Sequence, residues 1–217
     1  MKPDAALELV EAYLAVNDYF VLTEFELHEW RRDRYRTLTD VDVVAVRLPS
    51  PRGAVHYHDG DGTVECLLAG EVDPALGVAT DRCDVIIGEV KRGEASFNPA
   101  LRDPRVLHAV LRRVGVVTET PPDEVVDELS LVGWAATPWA QLRLVAFGSR
   151  GSVSDGTVIR HDHMMDWLNG VLERHRELFE VSSFSDPVLS LLAFAARIDR
   201  PLAALPDDLP AVPADAQ

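Results

Sequence analysis

At 217 residues, 47% of them apolar, the chain is long enough for one ordinary domain with a real core, which excludes wholesale disorder. No run approaches the roughly 18 consecutive apolar residues of a membrane helix. The acidic, amphipathic start MKPDAALELVEAYL lacks the basic opening and apolar block of a signal peptide. A formal charge of −15 weighs against unaided grip on long nucleic acid, which normally requires clustered Lys and Arg.

The two cysteines, Cys66 and Cys83, have no CxxC spacing and read as reduced thiols of a cytoplasmic protein. Basic clusters do occur, at Arg31, Arg32, Arg34 and Arg36 and again at Arg102, Arg105, Arg112 and Arg113. Their simplest reading is solvated surface.

In chain order, Ala6, Leu9, Val10, Tyr13 and Leu14 recur at the spacing of one helix face, so a helix is expected over residues 5–17. From Tyr19 to Trp30 the pattern alternates, Phe25 and Leu27 opposed by Glu24 and Glu26, as in a strand with one wet face. Asp42 to Leu48 is short, β-branched and bounded by prolines, a second strand. Residues 50–80 hold the HDGDGT turn between short apolar runs, a hairpin excursion. The segment CDVIIGEVKRG at 83–93 is the strongest strand signal in the chain.

A helix is expected over 102–115, with Leu107, Val110, Leu111 and Val114 on its apolar face, and a shorter one from Pro121-Pro122. Leu142 to Phe147 is a buried strand ended by Gly148. Helices follow near 163–180 and 186–197, with Asp162 and either Ser185 or Asp186 as caps. The Pro- and Asp-rich tail, 201–217, reads as disordered. Helices between buried strands imply an α/β sandwich with a mixed sheet. The expected organisation is a core at 1–150, a helical extension at 151–200, and the tail.

Charged residues interrupt two of these strands. In TDVDVVAVRL, Asp42 shares side-chain parity with Val44 and Val46; in DVIIGEVKRG, Glu89 and Lys91 share parity with Val85 and Ile87. A carboxylate beside an ammonium at a buried strand end is costly unless the two are paired or a cation is bound. An Asp on a neighbouring strand end completes an oxygen set suited to Mg²⁺ or Mn²⁺. The simpler alternative is an edge salt bridge between Glu89 and Lys91. Of the 21 basic residues only two are Lys, and Lys91 is one of them.

Helix, then Asp42 and Glu89-Val90-Lys91 on adjacent strands, then helix and strand, resembles the PD-(D/E)XK (restriction-endonuclease-like) nuclease superfamily over roughly residues 5–148. The resemblance implies that fold, an α/β/α sandwich with a mixed central sheet, here followed by extra C-terminal helices. It implies that Asp42 and Glu89 bind metal and that Lys91 assists the nucleophile. Val41 stands where the family pattern has proline, Asp40 competes with Asp42, and Glu11 is the best-placed auxiliary acid on the first helix. The expected activity is divalent-metal-dependent hydrolysis of phosphodiester bonds, with DNA preferred, in repair or in defence against foreign DNA. A protein partner or homodimer is expected to help a chain this acidic find its target.

Two other classes remain open. One is a non-catalytic subunit of a complex, to which the −15 charge and the apolar run PVLSLLAFAARI point. The other is a phosphodiesterase for a small nucleotide. His161-Asp162-His163 lacks a third ligand at usable spacing for zinc, the HDGDGT turn lacks the later Glu of a calcium loop, and Trp134 and Trp139 read as packing residues.

Overall fold

The computed structural model describes residues 4–49, 55–59, 62–66, 71–115 and 123–198. Two compact units divide it, residues 1–168 and 169–217. The first is α/β. Helix α1 (Ala5–Val16) leads into strands β1 (Phe20–Arg31) and β2 (Arg34–Arg47). A separate two-stranded hairpin follows, β3 (Val55–Asp59) and β4 (Gly62–Cys66). Then come β5 (Cys83–Val90), helices α2 (Pro104–Val114) and α3 (Asp123–Val132), strands β6 (Trp134–Ala136), β7 (Ala140–Gly148) and β8 (Thr157–Arg160), and helix α4 (His161–Arg174), whose residues from Asn169 fall in the second unit.

The main sheet is open, six-stranded and mixed, in the order β1-β2-β5-β7-β6, with β8 pairing the far half of β7. Only β5–β7 and β7–β8 are parallel. The apolar faces of α2 (Leu107, Val110, Leu111) and α3 (Val125, Val126, Leu129) form one core with Val44, Val85, Ile87, Leu142 and Leu144 of the sheet. α1 packs on β1 and β5 and buries Val10, Tyr13 and Leu14.

The expected elements appear with local differences. β2 begins eight residues before Asp42, at Arg34. Its first half, RYRTLTD, belongs to a two-stranded ribbon with β1 and carries little apolar signal. β6 and β8, three and four residues long, gave no readable period. The helix expected over 163–180 breaks at His175, where φ is −121° and no proline or glycine stands. Asp162 is not a cap: it lies in the first turn of α4, ion-paired with Arg160. Trp134 and Trp139 are exposed rather than packed. The hairpin within 50–80 is present as β3–β4; residues 50–54, 60–61 and 67–70, the Pro121-Pro122 start and the 201–217 tail lie outside the described residues.

In the second unit, α5 (Arg176–Val181) packs on α6 (Pro187–Arg197). Asp186 caps α6 by accepting from the Leu189 N–H at 2.8 Å. Arg197 closes the pair by donating to the carbonyls of Glu180 (3.0 Å) and Ser182 (2.7 Å). α6 is not buried all round: Leu189 and Leu192 are covered, whereas Leu191 and Phe194 are exposed. Among the described residues no helix is long and apolar enough to cross a membrane.

Where β5 and β7 end side by side, Gly148 leaves no room for a side chain. A Cβ there would meet the backbone nitrogen of Ala95 at 2.7 Å. That close approach lets Ala95 donate to the Arg150 carbonyl at 2.7 Å and Ser149 to the Gly93 carbonyl at 2.8 Å. Gly148→Val should therefore cost about 1–3 kcal/mol, as overpacking against fixed backbone does. Urea unfolding of the two proteins measures it, and a loss below about 0.5 kcal/mol would mean that the 93–95 segment yields freely.

Candidate functional site

β2 and β5 separate at the point where the charged residues begin. Their ladder runs from Arg47↔Asp84 to Val43↔Gly88 and stops there. Beyond it, Asp42 replaces the missing strand partner with its side chain, Oδ2 accepting from the Val90 N–H at 2.8 Å. The Val90 N–H is thereby satisfied without a further ladder step.

A second irregularity coincides with the first. Glu24, which would face Asp42, has φ of +51°, and the β1–β2 register skips that pair. Val41 and Val44 both enter the α2–α3 core, although residues three apart on a regular strand point to opposite faces. The parity expected to align Asp42 with Val44 and Val46 therefore does not hold. Asp40 and Asp42 instead line a cleft with Glu24 and Glu26.

Glu89 continues the Val85 and Ile87 face of β5 and is only 3% exposed. Lys91, half-exposed, pairs directly with Glu89 Oε1. Burial pushes the Glu89 carboxyl above its ordinary value; the Lys91 hydrogen bond pulls it back, and the Asp42 charge adds to the rise. Burial alone would lower the Lys91 ammonium, but Glu89, Asp42 and Asp40 outweigh it and hold it above its ordinary value. Glu89, Lys91, Asp42 and Asp40 thus interact as one electrostatic group where β2 and β5 part, although the shared side-chain parity expected of Asp42 is absent. Glu11 does not line the cleft beside this group.

Beside the group lies a cleft of about 300 Å³, lined by Asp4, Glu24, Glu26, Asp40, Asp42 and Arg92 together with Ala6, Leu7 and Val90. Five carboxylates face one guanidinium. Arg92 is held by Asp4 at 3.0 Å, and the Arg92 hydrogen bond keeps the Asp4 carboxyl below the usual range. Asp4 also caps α1 through the Ala6 N–H at 3.0 Å, which ties the start of α1 to the end of β5. Among the described residues no three of His, Cys, Asp or Glu converge as a ready-made metal cage. Asp42 and Glu89 offer two hard oxygen donors. That set suits Mg²⁺, which commonly takes one or two carboxylates and keeps water and phosphate oxygens in its other positions.

A polar network that sequence reading missed lies toward the opposite end of β5. Asp84, fully buried, accepts from Tyr19 Oη and from Arg143 Nε at 3.1 Å. Tyr13 Oη donates to Asp73 Oδ2 at 2.6 Å, and His163 Nε2 reaches the same oxygen at 2.6 Å. Burial holds both tyrosines protonated far above their ordinary range. The signal was present: Arg143 interrupts LRLVAF as Asp84 interrupts CDVIIG, two opposite charges inside two apolar strands.

Comparison with protein-family models, with curated proteins and with solved structures gave no match.

Proposed function

We propose that this chain is a divalent-metal-dependent phosphodiesterase of the restriction-endonuclease-like kind, acting on DNA in the cytoplasm through Asp42, Glu89 and Lys91. The observation that carries the reading is the burial of Glu89 at the point where β2 and β5 part. A carboxylate so placed, within the field of the Asp42 carboxylate, is costly to a fold that needs only a packed strand end.

Asp42 and Glu89 would hold the ion. Bound there, Mg²⁺ or Mn²⁺ supplies a water of lowered pKa and offsets charge on the phosphate. Lys91, kept charged by the three acids around it, is placed to orient that water or a phosphate oxygen. The order of strands and the helices α1 and α2 flanking the Asp42 and Glu89-Val90-Lys91 positions support the same fold assignment.

The acidity of the cleft favours a second reading, a nuclease-like subunit that docks a partner without cleaving. Cleavage of linear, supercoiled and single-stranded DNA with Mg²⁺ or Mn²⁺, alongside calorimetric titration of Mn²⁺, separates the two. Metal-dependent cleavage supports the enzyme. Absence of both cleavage and Mn²⁺ binding leaves the docking subunit.

A further inference from the structure

β1 and β2 continue as a two-stranded ribbon past the point where β5 stops pairing. The β1–β2 ladder runs on to Arg31↔Arg34, whereas β5 pairs no further than Val43. The base of this ribbon is anchored: Leu27 and Val41 lie in the core, with Phe25 and Leu38 packed against it. Every residue from Arg31 to Thr37 is exposed.

The tip concentrates positive charge. Arg31 to Arg36 contain four arginines and one aspartate, a local +3 in a chain of −15. Arg31 and Arg34 face each other directly, a like-charge pair that weakens a hairpin. The connecting Arg32 and Asp33 have φ of +51° and +61°, so the turn needs two left-handed residues where Asn-Gly is the favoured choice. Glu29 serves Arg31 at 4.0 Å and Arg105 at 3.5 Å. Arg32, Arg34 and Arg36 have no ion pair among the described residues. One step behind, Trp30 and Tyr35 sit edge to face with centroids 4.7 Å apart, 61% and 72% exposed.

Apart from the Trp30–Tyr35 contact and the Glu29–Arg31 pair, folding gains little from this arrangement. Three unpaired guanidinium groups at the end of a narrow ribbon, with two aromatic rings behind them, complement a polyanion that offers both phosphates and a groove. A two-stranded ribbon fits the roughly 12 Å major groove of B-form DNA. We propose that the β1–β2 ribbon is the arm by which this chain grips duplex DNA, and that it supplies the positive charge the cleft lacks. The assignment rests on the phosphodiesterase reading for the class of substrate. Arg34 precedes Asp42 by eight residues of β2, a reach of about 25 Å at strand rise. A duplex touching both arm and cleft therefore spans about seven base pairs.

The test uses the full chain carrying Glu89→Gln, so that substrate survives, and a fluorescent 30-base-pair duplex titrated at several salt concentrations. Adding Arg32→Gln and Arg34→Gln should weaken binding about tenfold or more and lower the slope of log Kd against log salt by about 2. The charge-matched pair Arg112→Gln and Arg113→Gln should leave both unchanged. The arm is overturned if the wild-type arm shows no duplex binding, if the two pairs lose affinity equally, or if a single strand or a phosphatidylserine vesicle is held as tightly as the duplex. Arm-dependent binding by a chain that cleaves nothing in its Glu89 form retains the arm and removes the phosphodiesterase reading. Cleavage with binding indifferent to the tip does the reverse.

Discussion

Glu89→Gln should abolish metal-dependent cleavage, by on the order of 10³-fold or more, while leaving the protein at least as stable at neutral pH. The loss follows from removing one of two oxygen donors to an ion whose contribution to the barrier is several kcal/mol. The stability follows from burial. An acid whose folded pKa is raised favours the fold below its unfolded value, and that contribution is lost as pH rises through the folded value. At neutral pH the ionised Glu89 is therefore a cost that Gln, equal in shape, does not carry. The advantage of Gln should fade on acidification, as Glu89 takes up its proton. Lys91→Ala should lower cleavage by about 10²–10³-fold through loss of a cation aimed at developing charge. Paired melting curves and cleavage assays between acid and neutral pH check both variants. A melting temperature for Glu89→Gln several degrees below wild type at neutral pH would show that the Glu89–Lys91 pair is structural, and the site reading would fail with it.

Asp84→Ala should destabilise the fold by about 3–5 kcal/mol with no comparable effect on metal binding. Asp84 is fully buried and Arg143 is 4% exposed. Deleting the acid leaves the guanidinium buried with the Leu76 carbonyl and, at 3.3 Å, the Tyr19 hydroxyl as its remaining partners. An uncompensated buried cation costs far more than the pair contributes when intact. Replacing both partners, Asp84→Leu with Arg143→Met, should recover most of the loss. Urea unfolding of the two single variants and the double variant gives the coupling directly. Single variants that each lose less than about 1 kcal/mol would mean that water reaches the guanidinium on relaxation.

The two predictions concern opposite ends of one strand. Asp84 and Glu89 both interrupt the run CDVIIGEVK, yet one is locked into a ring of donors while the other stands where its neighbouring strand departs. Five residues apart, they have opposite parity, so the pattern alone indicated that they leave by different faces. It did not say which had a buried partner. Arg143 lies 59 positions from Asp84 and meets it only because β5 and β7 pair in parallel, with Ile86 opposite Arg143.

Asp42 illustrates the same limit. Its place on a strand next to Glu89 was legible, because DVVAVRL opens and DVIIGEVK closes a β-branched run with charge. Its orientation was not, because parity counting assumes an unbroken pleat and Glu24 breaks it with a left-handed backbone. The basic tip read as ordinary surface because a run of arginines has no period. Only the length of the β1–β2 ladder beyond β5 shows that it ends a ribbon.

The sequence by itself determined the α/β class, most of the helices and long strands, and the charged interruptions at Asp42, Glu89 and Lys91, since hydrophobic period and misplaced charge are local properties. Tertiary structure alone decided the strand order, the parting of β2 from β5, the acid-lined cleft, the Asp84–Arg143 pairing and the projection of the arginine tip. Each of those depends on contacts between residues far apart in the chain, whose register is set by the packing of a whole sheet against its helices.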